Sequence, residues 1–425
     1  MEQPGLEWDY DEVFFGPQPT WTVEPDKQVI RQIIKRELAI PDDTECEVAF
    51  LAEGSINKVY TIKWADENGM TCIMRVALPV HPHMRTFSEI ATIELVRELT
   101  EIPLPRVLKY DARFDNELGF EWMIMDLVPG ETLEGRWHQV SWEKKEELVC
   151  QTVKYIAQLH QRRFKRIGSV YTYENLSSIA SDDKPLSVSI EGKKYCLSET
   201  VSLPFFLSDH LTHRNLAARL QLYINDSEKV LTDPSIAAED YDHVAATCVK
   251  HAAIKLTALL PRVFPDADDV FVLHNHDLNK QNMLVDAEGN LTGIIDWECI
   301  HTSPPWYSCQ FPAFLHGPRR SQKPEQSEYM YKDDEDDEEE LDELYWQRLE
   351  EWEKALLRVR FVEEMRSVFP EWEEIFGKSK VKADFELAMQ HLDNELLFER
   401  IMGWVGEVQE GREARSLRDI FRGGC

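Results

Sequence analysis

Three side chains within one short stretch could share a phosphoryl-transfer reaction. Residues 272–299 read V-L-H-N-H-D-L-N-K-Q-N-M-L-V-D-A-E-G-N-L-T-G-I-I-D-W-E-C, and among them Asp277, Asn282 and Asp296 carry the oxygen atoms of interest. The apolar runs 283–286 and 291–295 flank turn chemistry at 287–290, so the segment reads as strand, turn and strand. Antiparallel pairing about Gly289 would set Asn282 opposite Asp296, with Asp277 hanging over the same spot from the preceding loop. Transfer from a nucleotide needs a carboxylate to accept the proton of the attacking hydroxyl, plus an amide and a carboxylate to hold magnesium. Magnesium takes hard oxygen ligands and keeps water in its other positions, so two protein ligands suffice. A buried hairpin with incidental polar ends is the bland alternative.

The stretch resembles the catalytic loop and metal-binding segment of the aminoglycoside phosphotransferase family, a branch of the protein-kinase-like fold, and particularly its fungal members. The family pattern is H-x-D-x-x-x-x-N, an apolar hairpin, then D-F or D-W, which is Asp296-Trp297-Glu298 in this chain. The resemblance implies that Asp277 is the catalytic base, that Asn282 and Asp296 bind magnesium, and that ATP is the donor. The chain departs from the pattern at Asn275, which stands at the histidine position and has His274 and His276 on either side.

Other elements must bring a nucleotide to these residues. Cys46, Val48 and Phe50 alternate with polar neighbours as in a strand, residues 52–57 make a small turn, and 59–64 alternate again. Strand, turn and strand is the geometry of a phosphate-covering loop, because glycine lets backbone N–H groups approach phosphates closely. An ordinary hairpin gives the same pattern. Lying ahead of D-x-x-x-x-N, Gly54, Ser55 and Asn57 match the family's nucleotide loop. An Asn-Gly turn signal at 66–69 leads into a strand over 70–78, where Arg75 shares a face with Ile73 and Ala77.

Kinase-like folds place a phosphate-gripping lysine at that point. Arginine brings charge on a more rigid fork, and Arg75-Val76 resembles the R-V or R-I of fungal relatives. On the helix expected over 88–100, Glu89 aligns with Ile93 and Val96 on the inward stripe, while Glu94 falls at its edge. Glu89 is therefore the expected partner of Arg75; for both residues a surface ion pair is the alternative. Ile102-Pro103-Leu104-Pro105 ends the helix and resembles the family's I-P-V-P turn. An apolar run at 120–125 followed by a turn at 126–130 resembles the hinge between lobes, whose backbone near Met125 and Leu127 would meet the adenine edge.

These elements give an α+β class: a two-lobed protein-kinase-like fold with a small antiparallel-sheet N-lobe and a larger, mainly helical C-lobe. The expected divisions are an N-terminal extension and helix over 1–40, with irregular wrapping before an amphipathic helix at 25–39, then an N-lobe over 41–126 and a C-lobe over 127–425. Within the last, helices are expected at 142–164, 205–223, 240–261, 341–369 and 383–404, the final one with Phe385, Met389, Leu392 and Leu396 in a stripe. His160 reads as structural. Residues 186–203 read as strand-like and resemble an insertion of the fungal members. Trp306, in a Pro- and aromatic-rich continuation over 302–315, reads as core packing before substrate contact.

Composition sets the remaining bounds. A chain of 425 residues with 43% hydrophobic content has material for a two-lobed core. The net charge of −31 argues against nucleic acid or an anionic membrane as partner. Ten acids fall within 333–343, so the acidic segment 332–343 reads as a solvated surface, and only weakly as a docking site for a basic protein. The eight cysteines are scattered, which suits free thiols in a reducing compartment. His81-Pro82-His83 and His274-Asn275-His276 lack partner ligands for a metal site. The acidic start of the chain is unlike a targeting peptide, and no apolar run approaches the roughly 18 residues of a membrane span, so cytoplasm is the expected location. A small-molecule acceptor is expected. Two other readings share these residues: a nucleotide-binding scaffold, suggested by Asn275, Arg75 and the acidic segment, and a kinase-like AMP transferase.

Overall fold

The computed structural model describes residues 5–9, 18–65, 71–179, 188–189, 194–201, 216–265, 270–332, 339–412 and 415–421. Where the sequence reads as irregular wrapping, Leu6–Asp9 (β1) and Gln18–Trp21 (β2) pair antiparallel. Trp21 explains the order: its ring lies 5.1 Å from that of Phe120, and the buried Lys58 ammonium sits 5.0 Å over it. Asp26 then caps the first helix by accepting the Gln28 N–H at 2.7 Å. Lys27–Glu37 (α1) buries Ile30, Ile33 and Ile34 on its apolar stripe.

That stripe covers a five-stranded sheet formed by Cys46–Glu53 (β3), Asn57–Trp64 (β4), Thr71–Ala77 (β5), Val107–Asp111 (β6) and Glu121–Asp126 (β7). Its order is β3-β4-β5-β7-β6, with every pairing antiparallel. A bulge between Phe50 and Ala52 breaks the alternation of β3 beyond Phe50; Phe50 itself, still opposite Tyr60, is exposed while Cys46 and Val48 are buried. The expected Asn-Gly turn at 66–69 lies outside the described residues. Helix Met84–Leu99 (α2) begins before residue 88, straight after His81 and His83, both held at left-handed backbone angles near φ +65°. Every residue of α2 from Met84 to Ile93 is buried.

The large lobe opens with Glu131–Thr132 (β8), Leu133–Arg136 (α3) and Trp142–Gln161 (α4). α4 stops short of residue 164, because Arg163–Phe164 (β9) leaves the helix to pair with Phe271–His274. Gly168–Thr172 (β10) runs into Tyr173–Ser178 (α5). The strand-like stretch 186–203 resolves into Val188–Ser189 (β11) and Tyr195–Ser198 (β12), and its other parts lie largely outside the described residues. Leu216–Thr232 (α6) and Tyr241–Val263 (α7) follow. The helix expected at 205–223 thus runs on to Thr232, and residues 205–215 lie outside the described residues. α7 is long and apolar enough to cross a membrane by length and composition, contrary to expectation. Its Ala252, Ala253, Leu256 and Leu259 are packed into a helical core with α6 and the C-terminal helices.

Phe271–His274 (β13), Met283–Val285 (β14), Leu291–Ile294 (β15) and His301–Ser303 (β16) frame the candidate site. β15, β14 and β8 form one small sheet; β11-β12-β10-β16-β13-β9 is the order of another. Pro305–Ser308 (α8) carries half-buried Trp306, whose ring lies 5.3 Å from Phe264 and 5.8 Å from Tyr307. Met330–Lys332 (β17) pairs with Glu339–Leu341 (β18), so the ends of the acidic segment form a ladder; residues 333–338 lie outside the described residues. Asp342 caps Glu343–Val368 (α9).

Glu371–Gln390 (α10), Glu395–Glu410 (α11) and Leu417–Phe421 (α12) complete the chain. The single helix expected at 383–404 is therefore two. Asn394 breaks it by accepting the Leu396 N–H at 3.1 Å as a new N-cap, and Leu396, expected in the stripe, is 87% exposed.

Candidate active site

The hairpin β14–β15 brings the ends of the chemical stretch together, one residue away from the expected register. Met283 faces Ile294 and Leu284 faces Gly293, but Val285 faces Leu291. Thr292 is therefore the extra residue of a bulge. Ile295 N–H donates to the Asn282 carbonyl at 2.9 Å, so Asn282 lies opposite Ile295 and Asp296 follows just beyond. Asp296 has φ +61°, a left-handed conformation that aspartate and asparagine tolerate better than most residues.

The loop before β14 is a chain of side-chain turns. Asn275 Oδ1 accepts the Asp277 N–H at 2.9 Å, and Asn279 Oδ1 accepts the N–H groups of Gln281 at 2.8 Å and Asn282 at 3.0 Å. At the histidine position of the family pattern, Asn275 thus braces the loop through its amide. Asp277 is exposed, and its two carboxylate oxygens each accept one amide bond at 2.8 Å, from Asn279 and Asn282. The Asn282 nitrogen also donates to the Asp277 carbonyl at 3.0 Å. With its nitrogen committed to Asp277, Asn282 has its amide oxygen left as a ligand.

In the small lobe, Arg75 Nη1 donates to Glu89 Oε1 at 2.7 Å and Nη2 donates to Glu89 Oε2, a two-point bond in a buried setting. Burial pushes the Glu89 carboxyl up and Arg75 pulls it down. Burial also works against the Arg75 charge, but Glu89 and Glu298 outweigh it and hold the guanidinium charged. A fork that keeps its proton favours the ion pair.

The proposed nucleotide loop is bare at its tip. Gly54 and Ser55 are exposed, and a Cβ at Gly54 would meet nothing nearer than the Asn57 carbonyl at 4.0 Å. The Gly54 N–H donates to that carbonyl at 2.8 Å, so it closes the turn and is not a free phosphate donor. Met125 is buried in β7 opposite Ile73, and Leu127, 38% exposed, begins the connection to the large lobe. A cleft opens beside Leu127 between residues 102–105 and 126–129, and it does not reach Asp277 or Asp296.

Asp296 Oδ1 is buried without a hydrogen-bond partner. Burial, reinforced by Glu298, pushes the Asp296 carboxyl up to about 8, with Arg75 acting the other way. An orphaned carboxylate oxygen beside further acids is a place that a divalent cation fits. Among the described residues no three His, Cys, Asp or Glu side chains gather as a metal cluster. One carboxylate and one amide instead suit a cation that retains water, as magnesium does.

Residues that the sequence did not single out complete the site. Glu298 accepts from Asn57 Nδ2 at 3.0 Å and from Arg85 Nη1 at 3.3 Å, and lies 3.9 Å from Arg75 Nη1. Burial alone would push its carboxyl up; Arg85, Arg75 and the Asn57 bond bring it below the ordinary carboxylate value. An available signal was Glu298 itself, an acid two places from Asp296 in the Asp-Trp-Glu run.

The phosphotransferase enzyme family matches this chain over residues 47–307. The chain is 31% identical over 132 residues to a subtelomeric hrmA-associated cluster protein of Aspergillus fumigatus, covering 31% of this chain and 26% of that protein. It is 23% identical over 148 residues to altered inheritance of mitochondria protein 9 of Candida tropicalis, covering 32% and 24%. The matched stretch spans about a quarter of the length of these curated relatives. Among solved structures, an ADP-bound aminoglycoside phosphotransferase APH(2'')-Ib is similar at 11% identity and a TM-score of 0.46, covering 91% of this chain and 98% of that one. With well over half its residues matched, the chain belongs to the phosphotransferase enzyme family and has its kinase-like fold.

Proposed function

We propose that this protein is an ATP- and magnesium-dependent kinase of a small hydroxylated or aminated metabolite. The observation that carries the reading is the division of labour between two carboxylates: Asp277 exposed and fixed by two amides, Asp296 half-buried with one enclosed oxygen left over. Asp277 accepts the proton of the acceptor hydroxyl, and its two amide bonds hold the carboxylate in one rotamer. Asn282 and Asp296 hold the magnesium, which when bound neutralises charge on the phosphates being parted. Arg75, fixed by Glu89, presents positive charge to the nucleotide, Gly54, Ser55 and Asn57 cover it, and the backbone at Met125 and Leu127 meets the base. The acidic balance of the chain supports neither nucleic acid nor an anionic membrane as partner. Seven free cysteines among the described residues support a reducing compartment, and we assign the cytoplasm, although the Candida relative is named as a mitochondrial protein.

The test uses purified protein, ATP labelled separately in its terminal phosphate and its adenosine, and a broad metabolite panel. Transfer of the terminal phosphate is expected; transfer of AMP, or no transfer with Mg-ATP bound, supports the two other readings. Asp277→Asn is expected to keep Mg-ATP affinity within a fewfold and to slow transfer by on the order of 10² to 10⁴. Asp296→Asn, which tolerates the left-handed backbone, is expected to weaken metal-nucleotide binding and transfer together.

A further inference from the structure

Glu298, two residues past Asp296, reaches into the small lobe at three separate points. Its Oε2 accepts from Asn57, at the base of the loop that Gly54 closes, at 3.0 Å. The same oxygen lies 3.3 Å from Arg85 on the first turn of α2 and 3.9 Å from Arg75 on β5. Asn57 and Arg85 are 241 and 213 residues away along the chain, so these contacts exist only when the two lobes are seated together.

The groups around Glu298 are held from behind. Arg85 is buried, and its other nitrogen donates to the Leu78 carbonyl at 3.1 Å, just past the end of β5. The loop that delivers Arg85 carries the left-handed His81 and His83, conformations that persist only where the surroundings impose them. Asn57 is fixed through its carbonyl, which accepts the Gly54 N–H at 2.8 Å. An acceptor-only carboxylate also determines which end of the Asn57 amide faces it. On the large-lobe side, Trp297 is 1% exposed and anchors the strand end by donating its indole N–H to the Ile294 carbonyl at 3.1 Å.

We infer that Glu298 is a positioning residue that ties the nucleotide loop and the start of α2 to the metal-binding strand, so that loop and metal site are set as one unit. The inference rests on the phosphotransferase reading for its meaning, but the tie itself is a property of the chain without nucleotide. Glu298 touches neither donor nor acceptor in this role. It acts through Asn57, which presents the loop, and through Arg85, which holds α2 and hence Glu89 beneath Arg75.

The test begins without nucleotide. Amide hydrogen exchange over residues 53–58 is measured in wild type, Glu298→Ala, Glu298→Gln, Asn57→Ala and the Glu298→Ala/Asn57→Ala double variant. Exchange is expected to accelerate by about tenfold in either alanine variant and no further in the double. Glu298→Gln keeps an acceptor for Asn57 while losing the attraction for Arg85, and is expected to fall between wild type and alanine. With Mg-ATP, KM is expected to rise about tenfold with kcat within a fewfold. Unchanged exchange in a cooperatively folded Glu298→Ala, or additive acceleration in the double variant, overturns the tie. Should Glu298→Ala not fold, Asn57→Ala and Glu298→Gln carry the same comparison, and unchanged exchange in both overturns it. Loss of turnover in Glu298→Gln as deep as in Asp296→Asn, with exchange unaltered, would make Glu298 a metal ligand instead. If wild type transfers nothing, the phosphotransferase reading fails while the exchange result still decides the tie.

Discussion

Lys280 Nζ lies 2.7 Å from Glu350 Oε1, joining the loop of Asp277 to the long helix α9. The ammonium also lies 3.1 Å from Glu134 and 5.1 Å from the centre of the Trp137 ring. Lys280 stands between Asp277 and Asn282 in sequence and is buried. The loop's backbone is held at the same point, where the Glu134 N–H donates to the Lys280 carbonyl at 3.1 Å. Burial would push the Glu350 carboxyl up, and bonds from Lys280 and Lys354 bring it down instead.

Lys280→Met keeps the stem over Trp137 and removes the charge. Because Lys354 remains 2.6 Å from Glu350, the loss is expected at about 2 kcal/mol, below the ~3–5 of a wholly abandoned buried partner. Urea unfolding measures it, and kcat is expected to fall further than KM rises, since the loop carrying Asp277 loses its anchor. A variant as stable as wild type would show that Glu350 is content with Lys354 alone.

Arg75 and Glu89 are expected to behave as one group. Removing either leaves the other charged and buried, so Arg75→Met and Glu89→Gln should each be costly and the pair together should cost little more than one. We expect a coupling of about 2 kcal/mol in a double-mutant cycle read by unfolding and by Mg-ATP binding. Strict additivity in both readouts would mean that the two-point bond contributes nothing net.

His160 gives the protein an acid limit. Its ring is buried with Nδ1 3.9 Å from Cys309 Sγ and meets Phe369 edge-on at 5.8 Å. Burial, with a smaller push from Arg163, lowers the imidazole from 6.5 to about 3. The folded protein keeps it neutral while the unfolded chain protonates it below 6.5. Its contribution to stability is therefore complete above that pH and is lost progressively as pH falls toward 3. Between pH 6.5 and 4 the slope from this one proton is at most about 1.4 kcal/mol per pH unit. His160→Gln should flatten the pH dependence of the unfolding free energy from urea titrations by that amount; parallel profiles would assign the acid sensitivity to other groups.

Features governed by local chemistry could be read directly. The stripe of Ile30, Ile33 and Ile34, the inward Glu89 and the strand–turn–strand around Gly289 follow from periodicity and turn residues, and the structure has each of them. Features set by an interruption were less legible. The turn pairs Val285 with Leu291 and the bulge at Thr292 then shifts the register by one, so Asn282 falls opposite Ile295 and not Asp296; neither the turn's centre nor one extra residue leaves a mark in an apolar run. Asn394 splits a helix that the stripe of Phe385 and Met389 made look continuous. Glu298 was hardest, since its partners Asn57 and Arg85 are distant in sequence and only the packing of two lobes reveals the carboxylate's task. The acidic segment was half legible: charge marks it as surface, yet its end supplies strand β18 and the Asp342 cap, so cutting out residues 332–343 removes structure as well as charge.

The enclosure of α2 has a consequence for control. Its outer side is covered by the β10–β12 part of the large lobe's sheet, where Lys194 lies 3.1 Å from Glu94 and 2.8 Å from Glu98, and the Tyr195 hydroxyl donates to Glu98 at 2.8 Å. Kinases that are switched on and off commonly move the corresponding helix, making and breaking the cation–glutamate pair as an input arrives. Swinging α2 outward here would drag ten consecutive buried residues, Met84 to Ile93, past a sheet already seated on them. The Arg75–Glu89 bond is thus enclosed behind that contact. For the proposed kinase, an input acting through a swing of α2 would first have to part that interface.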